Sequence, residues 1–227
     1  MLRHISKFSS VTSMLATLTS GGLGWKDAKT TVLGSELAMV GGVLATPFGF
    51  LFFDSGQSTL VVLANVGLVV TGILFIIGLI LLRQGATPNA SAGFAAFAIT
   101  GASLTIASSA VDSVSTSGGA WAALDVLLIM VGSVAALVGG LYLATSLSSL
   151  TSRSGLGKAA GYAFLAGGIL QMAAGVPDSA GIALNSVVLE NIGNPFYGIA
   201  GLLFTVLAPI LLYLAVRRLR RSPVGQT

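Results

Sequence analysis

Residues 90–110 read ASAGFAAFAITGASLTIASSA. A helix rising about 1.5 Å per residue crosses a hydrocarbon core of about 30 Å in about 20 residues, so the stretch is long enough to span a bilayer. Thr100, Ser103, Thr105, Ser108 and Ser109 dilute it, and by hydropathy it is the weakest such stretch in the chain. Five others, near 33–53, 59–82, 121–146, 158–176 and 196–216, are more plainly apolar. Whether 90–110 crosses therefore decides between five spans and six, and with it the side on which each later segment lies.

The basic residues settle the count independently of hydropathy. Arg3, Lys7, Lys26 and Lys29 precede the first span and Arg83 follows the second. Arg153 and Lys158 bracket the turn between the fourth and fifth, and Arg217, Arg218, Arg220 and Arg221 follow the sixth. With six spans all 11 Lys and Arg fall on one side, and the connections 54–58, 111–120 and 177–195 hold none. With five, the C-terminal cluster falls on the side opposite the N-terminus. The positive-inside rule then sets both termini in the cytoplasm. Aromatic residues agree, because Trp and Tyr favour the headgroup level. Trp121 and Tyr197 open the fourth and sixth spans at the outer face, while Trp25, Tyr142, Tyr162 and Tyr213 fall near inner boundaries.

Composition leads to the same class. Of 227 residues 54% are hydrophobic and only 8% charged, with a mean hydropathy of +0.94. A soluble domain carries charge on about a quarter of its residues. The expected fold is all-α, a polytopic bundle of six transmembrane helices over 31–216. A cytoplasmic or interfacial segment, 1–30, precedes it and a basic tail, 217–227, follows. Ile5, Phe8, Val11, Leu15 and Leu18 recur at near-helical spacing beside Arg3 and Lys7, the pattern of an amphipathic helix lying in the interface. The expected location is the cell membrane; the alternative reading of 1–26 as a transit peptide would place the protein in an organelle.

The inventory excludes much chemistry. No Cys is present, so there is no disulfide framework or thiolate metal site, and His4, the single histidine, precedes every span. No Lys lies in the middle of a span, and neither the phosphate-binding GxxxxGK[ST] nor H-E-x-x-H occurs. No cofactor, metal, nucleic-acid partner or catalytic activity is therefore expected.

Close helix packing in lipid relies on small residues. Gly157 and Gly161 form a GxxxG, and Gly161, Gly168 and Gly175 repeat every seven residues, marking the fifth span as central. Ala96, Thr100, Ser103, Ala107 and Ala110 suggest the same for the third. Pro47 and Pro209 should each free a carbonyl and bend its span. Pro177 and Pro195 should end the flanking spans, leaving 177–195 as a long outer connection with a short interfacial helix near 182–189. Met39–Ala45 (MVGGVLA) and Met130–Ala136 (MVGSVAA) hint at duplication between spans of opposite direction.

Charges inside spans are costly and are functional candidates. Asp125 lies near the outer start of the fourth span, within reach of a Ser or Thr of the third, and Glu36 near the cytoplasmic start of the first. Asn65, Gln171 and Ser103 are the polar residues that would join Asp125, with Asp54, Asp112, Asp178 and Glu190 in adjoining loops. Asp125 and Glu36 are too far apart to act as a catalytic pair. Arg217, Arg218, Arg220 and Arg221 are expected at lipid headgroups. The leading expectation is a non-catalytic bundle acting through packing with lipid, partner subunits or its own copies. The alternative is a small secondary carrier or channel-like protein with a cation- or proton-sensitive site at Asp125.

Overall fold

A computed structural model describes residues 28–54, 58–114, 120–150 and 155–221. These form helices α1 (Ala28–Asp54), α2 (Ser58–Gly85), α4 (Ala120–Leu150) and α5 (Leu156–Leu184), and two helices in three consecutive pieces each. In α3 the pieces are Pro88–Ala95, a π-helical stretch Ala96–Ala102, and Ser103–Val114; in α6 they are Val187–Gly201, a π-helical stretch Leu202–Leu207, and Ala208–Arg221. All six are long and apolar enough to cross a membrane, and the stretch 90–110 falls within one of them, α3. The amphipathic segment 1–26, Trp25 and the tail beyond Arg221 lie outside the described residues.

The helices run antiparallel in chain order. Each packs on its sequence neighbours, and α6 closes the ring on α1 through its π stretch and its last piece. Glycine makes the closest seams possible. A Cβ on Gly161 would stand 2.6 Å from the Ala144 Cα, one on Gly168 2.8 Å from the Leu137 Cα, and one on Gly175 2.6 Å from the Ser133 Oγ, so the heptad of glycines is the α4–α5 seam. Gly157 is buried on the same helix. A second seam joins α1 to α2, where a Cβ on Gly41 would stand 2.6 Å from the Phe75 nitrogen and one on Gly34 2.8 Å from the Gly78 oxygen.

Two expectations change. First, 177–195 is not a loop. Helix α5 continues through Pro177 to Leu184, a turn of Asn185 and Ser186 follows, and α6 begins at Val187 with Pro195 inside it. Proline is tolerated in apolar helices because neighbouring groups can take up the freed carbonyl. The real stop is Asn185, left-handed with φ 51°, a conformation that Asn adopts readily at a helix C-terminus. Asp54, Asp112, Asp178 and Glu190 accordingly belong to helices. Second, the face that α3 buries is Ala90, Gly93, Phe94, Phe97, Ala98 and Gly101, while Thr100 and Ala110 are exposed. The π stretch changes the helical phase midway, so one 3.6-residue stripe does not describe the helix. The two similar heptapeptides do not face equivalent neighbours: Gly41 meets α2, whereas Gly132 meets α3.

The two halves of the chain nevertheless share a plan. In each, the first two helices join by a glycine seam and the third is interrupted by a π stretch. In α6 that stretch ends at Leu207, two residues before Pro209, whose ring would clash with the carbonyl four residues earlier, and the wider π turn accommodates it. In α3 the Ser103 hydroxyl donates to the Ala98 carbonyl, 2.9 Å away and five residues back, satisfying an acceptor within the π stretch.

Candidate functional site

The π stretches bring Phe97 and Phe204 together at the centre of the ring. Their ring centroids are 4.5 Å apart, with Phe75 6.1 Å and Phe164 5.3 Å from Phe97. This phenyl floor divides the bundle. Lys29, Arg83, Lys158 and Arg217 sit toward one end, the basic end, where α1 and α5 begin and α2 and α6 finish. Between the floor and that end the interior is filled: Leu79, Leu82, Phe94, Leu143, Leu147, Phe164, Leu212 and Val216 are buried in one continuous apolar core.

On the other side of the floor the ring is hollow. A cavity of about 460 Å³ runs from Phe75, Phe97, Ala136 and Phe204 to Ser108, Asp125, Asp178, Ile182 and Tyr197 near the opposite end, and all six helices contribute to its wall. Along α4, from Ala136 to Asp125, its length is about 16 Å by helix rise. The walls are mainly apolar, including Leu68, Val69, Ile106 and Ile129, with Gly72, Gly101 and Gly201 leaving room.

The polar groups gather at the end away from the floor. Asp125 is only 7% exposed and accepts a hydrogen bond from the Ser108 hydroxyl of α3 at 2.6 Å. Asp178 of α5 accepts one from the Tyr197 hydroxyl of α6 at 2.9 Å. Gln171 lines the same cavity between these groups and the floor. Deeper in, the hydroxyls of Thr105 and Thr205 donate to the carbonyls of Gly101 and Gly201 in their own helices.

The structure thus joins Asp125 and Gln171, the first with its expected third-span serine. Asn65 is 5% exposed, and among the described residues neither end of its amide has a hydrogen-bond partner. It shares the helical stripe of Leu68, Val69, Gly72 and Phe75 but is not part of the wall. Ser103 is engaged within α3 and Glu36 lies toward the basic end of α1, so neither belongs to the site. Arg217 and Arg218 are exposed at the end of α6, where the Arg217 guanidinium donates to the Tyr213 hydroxyl at 3.2 Å. Arg220 and Arg221 complete the same helix.

Asp178 was expected beside the site only as a loop acid and Tyr197 only as an outer-boundary aromatic, because reading Pro177 and Pro195 as helix ends left both at the margin of a loop. The signal for them was the helix-compatible apolar sequence between those prolines. The floor had no signal, since a π stretch has no residue signature of its own. Among the described residues, no three of His, Cys, Asp and Glu come together as a metal site. Comparisons with family models, curated proteins and solved structures find no match to this chain.

Proposed function

We propose that this polytopic helical membrane protein is a small secondary carrier whose central cavity receives a solute, with Asp125 as its charged element. The observation that carries the reading is the asymmetry across the phenyl floor: a filled apolar core on one side, and on the other a cavity ending in two carboxylates. A bundle acting only through packing has no need of an empty interior. That reading draws on the small-residue faces and on the absence of a charged pair deep in the membrane; the polar groups Asp125, Asp178, Gln171, Ser108 and Tyr197 on one cavity favour the carrier.

The two-half plan adds support. Many carriers are built from inverted repeats and bind their substrates near mid-membrane where corresponding helices are interrupted. Here α3 and α6, the third helix of each half, run in opposite directions, and their π stretches meet at Phe97 and Phe204. With the basic end in the cytoplasm of a cell membrane, the cavity faces outward and the phenyl floor is its inner gate. The chain catalyses no bond change in this account and works with the lipid bilayer, alone or with further copies.

The test is flux in liposomes driven by a proton or cation gradient. Wild type is expected to show flux that Asp125→Asn abolishes. Unchanged flux in the variant, or none in either protein, contradicts the proposal.

A further inference from the structure

We infer that the ligand of the cavity is an amphipathic organic cation, a drug-sized apolar or aromatic body carrying a cationic head. The inference rests on the carrier reading and names its substrate class. Among the described residues, the wall contains two carboxylates and no Lys, Arg or His. The nearest base along α5, Lys158, is twenty residues from Asp178, about 30 Å by helix rise. A cavity charged with one sign and walled by apolar groups focuses its field and concentrates the opposite charge.

The direction of the hydrogen bonds sharpens this. The Ser108 and Tyr197 protons are directed at Asp125 and Asp178, and those of Thr105 and Thr205 at backbone carbonyls. These hydroxyls direct their donors into the protein rather than into the cavity. An anion would meet the two carboxylates, and the Gln171 amide is the one side-chain N–H donor among the described wall residues.

The other half of the cavity selects for the body. Leu68, Val69, Ile106, Ile129 and the phenyl rings of Phe75, Phe97 and Phe204 line its depth. A bare metal ion at the carboxylates would leave that apolar volume unfilled. The volume, about 460 Å³, lies within the roughly 300–1,000 Å³ typical of sites for drug-sized ligands. A cationic head between the two carboxylates and an aromatic body on the phenyl floor would satisfy both ends at once, and phenyl faces also attract positive charge.

The probe is tetraphenylphosphonium, with tetraphenylborate as an anion of nearly the same shape. Binding is measured by equilibrium dialysis on the full chain in lipid nanodiscs against empty nanodiscs. The phosphonium is expected to bind saturably and the borate not at all, with Asp125→Asn and Asp178→Asn each weakening the phosphonium about tenfold, the scale of one partly screened charge contact. Comparing the two ions on wild type needs no variant to fold. Equal binding of both ions, or unaltered phosphonium binding in both Asn variants, overturns the inference. A Gln171→Cys variant, labelled with a membrane-impermeant maleimide, separates the two levels. Labelling that the phosphonium blocks supports the inference. Labelling that it does not block removes the cation assignment and leaves the carrier reading. No labelling removes both.

Discussion

The α4–α5 seam offers a quantitative test, because the same substitution should have opposite signs at two glycines. In Gly161→Ala the new methyl would meet the Ala144 Cα at 2.6 Å and the Leu143 oxygen at 2.9 Å. That is roughly 1 Å inside ordinary carbon–carbon contact, and the obstructing atoms are backbone, which no rotamer change can move. Helix α5 must shift away from α4, and overpacking of this kind costs about 1–3 kcal/mol. Among the described residues, nothing beyond its own turn of α6 lies within 4 Å of the Cβ position of Gly198. There Ala should be neutral or stabilise by up to about 1 kcal/mol through its better helix propensity. Gly168→Ala, whose methyl would come within 2.8 Å of the Leu137 Cα, should resemble Gly161→Ala. The double variant should lose less than the sum, since one displacement of α5 relieves both clashes. Equilibrium unfolding in mixed micelles reads all four. A Gly161→Ala stability within about 0.5 kcal/mol of wild type, the range of ordinary surface changes, refutes the seam.

Further expectations follow from the site. Ser108→Ala removes the hydroxyl donor to the nearly buried Asp125 and should destabilise by about 1–3 kcal/mol; adding Asp125→Asn should recover part of this, giving a measurable coupling in a double-mutant cycle. Phe97→Ala deletes the ring that touches Phe75, Phe164 and Phe204, with an expected loss of about 3–5 kcal/mol by unfolding, unless lipid or detergent fills the space. Pro209→Ala restores an amide donor and should let the preceding π stretch return to α-helix. Taking up the extra residue of the π turn into regular α-helix rotates what precedes it by about 100°, so the maleimide reactivity of Thr205→Cys should change in that background. Leu184→Cys, exposed between Asp178 and the turn into α6, should label from outside intact cells, and Lys158→Cys only after permeabilisation; the reverse pattern inverts the orientation.

The spans were legible because two independent signals converge on them. Hydropathy locates the segments, and the placement of Lys and Arg fixes their number even at the serine-rich 90–110. The glycine heptad of α5 was legible for a related reason: in lipid, small residues mark where backbones approach. What misled was proline. Pro177 and Pro195 read as helix ends by the rules of water, where an exposed carbonyl is solvated, yet both lie within helices here, and the break falls at the inconspicuous Asn185. That error left Asp178 as a loop acid and Tyr197 as a boundary aromatic, where the structure makes them half of the cavity's polar end. Asp125, Gln171 and a serine partner on α3 were readable because polar atoms in lipid must be accounted for. The phenyl floor was not, since Phe97 and Phe204 look like any other apolar residues until two π turns aim them at each other.

The central claim is that the bundle is hollow on one side of the phenyl floor and solid on the other. The cysteine-free chain makes it directly measurable by maleimide labelling of single replacements in the native protein. Gln171→Cys, in the cavity, is predicted to react, and Leu212→Cys, in the core toward the basic end, to remain unreactive until the protein is unfolded. Equal reactivity at the two positions, or protection of both, would contradict the account.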